Sequence, residues 1–254
     1  MNTNSNIYTV IYTTIVVVIV AAALAFVSQK LGPMQAANEK AETISQILTA
    51  AQFGDKEHWR EIGNAKTIEF FEENIDGESE VTSTAELKAL NYKIKAGEDV
   101  VLPVYTFKNG ITVVAVYGAG LWGPVWGYIA LQDDMKTIAG AYFDHESETP
   151  GLGGKIKDDP SFRNSFEGKL VDFADEKPFS IIKGGVPEGK TNAVDAITGA
   201  TMTSKGLSAA IENWLKAYRP QAESLSKCVN ECECEQEDCE QCAEQCNMED
   251  KSNE

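Results

Sequence analysis

The feature that most limits what this chain can become lies at its start. From Met1 to Gln29 there is no charged side chain, and Ile7 to Val27 is an unbroken run of mostly Ile, Val, Ala and Thr. At a rise of about 1.5 Å per residue such a run covers a hydrocarbon core of about 30 Å. It predicts a single transmembrane helix within residues 1–30, with Tyr8 and Tyr12 suited to the interface. The run is longer than the apolar core of a signal peptide and no Lys or Arg precedes it, so it is read as an uncleaved anchor. Flanking charge points the body towards the cytoplasm on slim grounds: the N-terminal flank has no basic residue, while Lys30 and Lys40 alternate with Glu39 and Glu42.

Beyond the anchor, Gly32-Pro33 is expected to break the helix. A second, juxtamembrane helix is then expected from Asn38, as its cap, to Phe53, with Ala41, Ile44, Ile47, Leu48 and Ala51 on one face. Gly54 to Asp99 is polar and irregular, and Trp59, Phe70, Phe71 and Leu90 are its scattered core candidates. From Val100 the pattern turns to strands. Val104 to Phe107 and Ile111 to Tyr117 flank Lys108-Asn109-Gly110, and Asn-Gly is the strongest short hairpin signal. Trp126 to Leu131 and Thr137 to Phe143 flank Gln132-Asp133-Asp134 in the same way, which implies an antiparallel sheet. A glycine-rich loop, Glu148 to Gly154, a short helix from Pro160 to Phe166, an apolar run from Phe179 to Ile182 and a Lys183-Gly184-Gly185 turn follow. The fold class is therefore α+β, in four parts: anchor 1–30, juxtamembrane helix and N-terminal part of the body 31–99, the sheet-bearing domain 100–220, and a tail 221–254.

Asp195-Ala196-Ile197-Thr198-Gly199-Ala200-Thr201 runs into a segment whose Leu207, Ala210, Ile211, Trp214, Leu215 and Tyr218 recur on one helical face. Thr201 thus stands at a helix N-terminus, where unpaired N–H groups and the positive dipole end favour an anion on or against its hydroxyl. The alternative from the residues alone is that Thr198, Thr201 and Thr203 supply the helix cap.

Four segments in a fixed order, Gly120-Leu121-Trp122, Glu148-Thr149-Pro150-Gly151-Leu152-Gly153-Gly154, Lys183-Gly184-Gly185 and Asp195-x-x-Thr198-Gly199-Ala200-Thr201, follow one N-terminal anchor. Together they resemble the NqrC family of the Na+-translocating NADH:quinone reductase, from the anchor to about Tyr218. The resemblance implies an FMN-binding domain in which a flavin transferase takes FMN from FAD and esterifies its phosphate to Thr201. It also implies that Asp195, Thr198, Gly199 and Ala200 belong to the signature the transferase reads. In the same way Glu148 and Thr149 offer a carboxylate and a hydroxyl to ring heteroatoms, Leu152 an apolar contact, and Gly153 a closely approaching backbone. Leu121 and Trp122 would cover the other ring face, and Lys183 would meet phosphate or ribityl oxygens. Residue type alone allows Trp122 to be a core aromatic, Asp195 a turn former and Lys183 a solvated charge.

The implied role is electron transfer through covalent FMN within a bacterial inner-membrane complex, alongside its other subunits, with the body on the periplasmic side. Catalytic residues are none, since no G-x-G-x-x-G loop opens a βαβ unit for NADH and one anchor cannot line a Na+ path. Rival assignments are the equivalent subunit of the related ion-pumping ferredoxin:NAD oxidoreductase (Rnf) complex, and a membrane-anchored flavin-binding sensor or assembly factor. The formal charge of −17 and the lack of a basic face exclude a nucleic-acid binder. His58 and His145 form no ligand set by spacing, so no metal site is assigned in the body.

All six cysteines, Cys228, Cys232, Cys234, Cys239, Cys242 and Cys246, fall in the tail, where eleven acidic residues from Gln221 onward face only Lys227 and Lys251. Such a segment is expected to be disordered, solvated or disulfide-bearing; chelation of a soft metal through Cys232-x-Cys234 and Cys239-x-x-Cys242 is the alternative.

Overall fold

The computed structural model describes residues 6–76, 80–222 and 224. The cysteine-bearing segment lies outside the described residues. Helix α1 runs unbroken over Asn6–Ala50 with Pro33 inside it. The expected break at Gly32-Pro33, and with it a separate helix capped by Asn38, is therefore corrected. Proline removes one backbone donor, and its clash with the preceding residue involves that residue's Cβ, which Gly32 lacks. Asn38 lies mid-helix, where its side-chain oxygen accepts from Asn64 Nδ2 at 2.9 Å.

The two halves of α1 have opposite surroundings. Ile7, Val10, Val17, Ile19, Leu24 and Phe26 are all exposed. Ala41, Ile44, Ile47, Leu48 and Ala51, the face expected from periodicity, are buried against the body. By length and composition α1 can cross a membrane, and among the described residues no other helix can.

The stretch 54–99, which has no legible strand pattern, is helical. It forms α2 Lys56–Ile62, α3 Asn64–Asn74 and α4 Thr84–Ala96. Asp55 caps α2, and a reciprocal Ser83/Glu86 capping box starts α4, which ends at the left-handed Gly97.

Strands β1 Val104–Thr106, β2 Thr112–Ala119, β3 Pro124–Leu131 and β4 Ile138–His145 form an antiparallel meander in sequence order. Gly110, at φ +86°, closes the β1–β2 hairpin that Asn-Gly predicts. Short helices α5 Lys155–Asp158 and α6 Pro160–Asn164 follow β4. Strands β5 Ser180–Ile182 and β6 Ala193–Asp195 then pair in parallel as a separate ribbon, and α7, Thr201–Ala217, closes the body.

Register shows how the sheet is covered. Tyr117, Trp126 and Asp144 are cross-strand partners, and Trp126 Nε1 and Asp144 Oδ2 both bond the Gln46 side chain on α1. The C-terminal half of α1 therefore covers that face. On the opposite face Gly118 meets Ala210 of α7, where a Cβ would come within 2.5 Å of the Ala210 methyl, and Phe143 packs on Phe162 and Phe166. Covered on both sides, Val113 to Tyr117 of β2 are all buried, as expected for a central strand that reads as a continuous apolar run. One core joins the end of α1, α3, α4, the sheet and α7. It extends to Ala222, which is buried, and Gln221 Nε2 donates to Leu102 O at 3.1 Å.

Candidate functional site

Three chain reversals meet at one end of the sheet. They are the β2–β3 turn at Gly120–Gly123, the loop after β4 from Ser147 to Gly154, and the start of α7. Between them lies a cleft of about 220 Å³, lined by Leu121 and Trp122 from the first, Glu148, Thr149, Leu152 and Gly153 from the second, and 199–203 from the third. A larger hollow of about 290 Å³ lies near α4 and β1, around Leu90 and Tyr105, and holds none of the motif residues.

Helix α7 brings its N-terminus to the cleft without a side-chain cap. Its N-cap is Ala200, and no side chain hydrogen-bonds there. The capping role open to Thr198, Thr201 and Thr203 is thus not filled by any of them. The backbone ladder begins with Ser204 N donating to Ala200 O at 2.9 Å, so the N–H groups of the first turn face a site without an intrahelical acceptor. Thr201, the first helical residue, is half-buried and lines the cleft. Thr203 is two residues on, about 200° around the helix; it also borders the cleft but is 1% exposed, its hydroxyl turned to Glu148. The bend before the helix requires a left-handed residue at Gly199, φ +84°, where glycine is favoured because it lacks Cβ.

Glu148 holds these pieces together. Its Oε1 accepts from Leu121 N at 2.7 Å and Trp122 N at 2.8 Å, and its Oε2 accepts from Thr203 Oγ1 at 2.6 Å. Its own N–H donates to His145 Nδ1 at 3.2 Å. The carboxylate is 4% exposed. Burial pushes its pKa up, but the Thr203 hydroxyl, the Trp122 and Leu121 amides and the adjacent His145 outweigh that and hold it below the ordinary carboxylate range. Two glycines make the space: a Cβ on Gly120 would sit 2.4 Å from Oε1, and one on Gly153 2.2 Å from Oε2.

Of the residues expected at a site, Trp122, Glu148, Thr149, Leu152, Gly153, Gly199, Ala200 and Thr201 come together in the cleft. Trp122 is 68% exposed and so is not a core aromatic; Leu121 and Leu152 are also exposed. Thr198, Lys183 and Asp195 are exposed and do not line the cleft. Asp195 Oδ1 accepts from Val186 N at 2.6 Å, tying the Lys183-Gly184-Gly185 turn to β6. Met202 and Thr203 line the cleft without having been singled out as binding residues. No local signal marks Thr203, because its partner Glu148 lies 55 residues away in the chain.

Residues 120–216, which include the turn, the Glu148 loop and most of α7, match the family of FMN-binding domains. The chain is 34% identical over 165 residues to NqrC of the Na(+)-translocating NADH-quinone reductase of Vibrio alginolyticus, across 62% of this chain and 63% of that one. With the Yersinia pestis protein of the same name it shares 41% identity over 105 residues, 41% of this chain and 39% of that one. The chain thus spans less than two thirds of the length of these relatives. Among solved structures, that of NqrC from Parabacteroides distasonis is similar with a TM-score of 0.61 and 31% identity, covering 74% of this chain and 94% of that one. NqrC from Shewanella oneidensis is similar at a TM-score of 0.53 and 26% identity, over 74% and 99% of the two chains. With the β2–β3 turn, the Glu148 loop and the start of α7 inside the matched region, and with a relative of 31% identity covered over 94% of its length, this chain belongs to the NqrC family of the Na(+)-translocating NADH-quinone reductase.

Proposed function

We propose that the chain is an electron-transfer subunit that carries FMN as a phosphoester on Thr201, within a Na+-translocating NADH:quinone reductase held at a membrane by α1. The observation that carries this reading is the placement of Thr201: a hydroxyl at the first position of a long uncapped helix, opening into a cleft with exposed apolar walls. The residues present suit FMN in two respects. A phosphate at Thr201 faces the unpaired first-turn N–H groups and the positive end of the α7 dipole, so its charge is stabilised without a basic side chain. A planar apolar ring system has Leu121, Trp122 and Leu152 to lie against. When bound, FMN supplies one- and two-electron transfer; the chain supplies tether, dielectric and hydrogen bonds.

Attachment balances as phosphoryl transfer. A flavin transferase directs Thr201 Oγ1 onto the FMN phosphorus of FAD; the new O–P bond forms as the pyrophosphate bond to AMP breaks. AMP leaves and the hydroxyl proton passes to solvent. The names borne by the relatives favour the quinone reductase over the ferredoxin:NAD complex and over a sensor.

Thr201→Ala should abolish covalent flavin while the body still folds, because no cap is lost with that side chain. The measurement is flavin fluorescence retained by the polypeptide after denaturing electrophoresis, with the transferase co-produced. A covalent flavin surviving Thr201→Ala moves the acceptor to another hydroxyl; a wild-type chain without flavin under those conditions ends the FMN reading.

The body is proposed to be periplasmic, from the family resemblance and against the sparse flank charges. A membrane-impermeant thiol reagent should then label the reduced tail cysteines in cells with a permeabilised outer membrane and intact inner membrane. Labelling only after lysis would place the body inside.

A further inference from the structure

We infer that Glu148 is the positioning residue of the flavin site: its carboxylate ties the Gly120–Gly123 turn to the first turn of α7, and so sets the width of the cleft into which Thr201 opens. The identity of the occupant rests on the FMN reading, whereas the tie itself is a property of the chain.

Three observations converge on it. Trp122 is 68% exposed, so packing does little to place its ring; its backbone does. That backbone is held by Glu148 Oε1 on Trp122 N and by Ser147 Oγ donating to Trp122 O at 3.0 Å. The opposite wall is held by the same carboxylate through Thr203, one helical face away from the Thr201 hydroxyl. The tie is also built in by space: Gly120 and Gly153 leave the volume that the two carboxylate oxygens occupy. A hairpin turn at a sheet end can satisfy its amides with water, and a buried anion is a costly substitute unless its donors are all in place. Here Glu148 has three donors from two elements, 26 or more residues away in sequence. Removing one oxygen partner therefore loosens the turn against the helix rather than either element alone. Glu148 acts on the flavin through Leu121, Trp122 and the α7 start.

The test uses the full chain, with the flavin transferase co-produced, and four variants: Glu148→Ala, Glu148→Gln, Thr203→Val and Thr203→Ser. Hydrogen exchange at the Leu121 and Trp122 amides reads the tie without reference to flavin. Fluorescence anisotropy of the covalent flavin reads its consequence. Exchange should rise at least tenfold in Glu148→Ala and several-fold in Glu148→Gln and Thr203→Val. Thr203→Ser, which keeps the hydroxyl, should restore wild-type exchange. Anisotropy should fall in the same order. If Glu148→Ala does not fold, the Val/Ser pair decides, since both keep the carboxylate and differ at the hydroxyl. Wild-type exchange and anisotropy in Thr203→Val, or equal damage from Thr203→Ser, overturns the inference. A wild-type chain that takes up no flavin sinks the FMN reading, and the exchange arm still judges the tie.

Discussion

Two buried carboxylates stand four residues apart at the same end of the sheet, each 4% exposed, and they are handled in opposite ways. Asp144, on the face covered by α1, is neutralised: Lys157 Nζ lies 2.8 Å from Oδ1, and Gln46 Nε2 donates to Oδ2 at 3.0 Å. Gln46 in turn accepts from Trp126 Nε1 at 3.2 Å, so α1, β3, β4 and α5 are drawn together around one ion pair. Glu148, beside the cleft, has only amide and hydroxyl donors, and among the described residues no lysine or arginine pairs with it. A cation at Glu148 would fill the space beside the α7 N-terminus and compete with its dipole for an incoming phosphate. Dipolar donors hold the charge and leave that end open. One carboxylate seals a joint between the membrane-directed helix and the body; the other shapes a site.

The sharpest way to break this division is Asp144→Ala. It removes the side-chain acceptor of His145 N, leaves Gln46 Nε2 only its 3.4 Å bond to Glu42 Oε1, and strips Lys157 of its partner. Lys157 keeps a third of its side chain in solvent, so the loss should fall below that of a fully buried pair, at about 2–3 kcal/mol. Denaturant midpoints give this figure, and flavin per folded chain should stay unchanged; flavin lost from a folded Asp144→Ala body would merge the two regions into one.

Gly153→Ala probes the other side. Its new methyl would sit 2.2 Å from Glu148 Oε2 and 2.6 Å from Thr203 Oγ1, an overpacking cost of about 1–3 kcal/mol. Here the flavin anisotropy should fall with the stability, the reverse of the Asp144 pattern.

Acid gives the smallest effect. Glu148 has a folded pKa below its ordinary value, so its contribution to stability is present above the unfolded carboxylate range and is lost as pH falls through the lowered value. Unfolding curves taken from pH 7 downwards should show no loss of stability from this group until the medium is more acidic than about pH 4.5. The difference between wild type and Glu148→Gln should then narrow as the wild-type carboxylate protonates. A difference that stays constant to the acid limit would mean Glu148 is not held ionised by its donors.

Much of this molecule was legible because its signals are local. The apolar run in α1, the Asn-Gly turn between β1 and β2, the four strands and the face of α7 each depend on residues within a few positions of one another. The position of Thr201 was legible for the same reason: a hydroxyl, a glycine and a helix start are adjacent in the chain. Continuity of α1 through Pro33 was not, since one missing hydrogen bond is a small loss against the helical turns on either side. The parallel β5–β6 ribbon escaped notice because its strands have three residues each and pair across a crossover. Sequence by itself determined the long apolar N-terminal helix, the meander and the start of α7 at Thr201. Only the tertiary structure decided what Glu148 does, because its partners Leu121, Trp122 and Thr203 lie 27, 26 and 55 residues away. No local spacing encodes which donors will converge on a buried carboxylate; packing α7 onto β2 and closing the β2–β3 turn do.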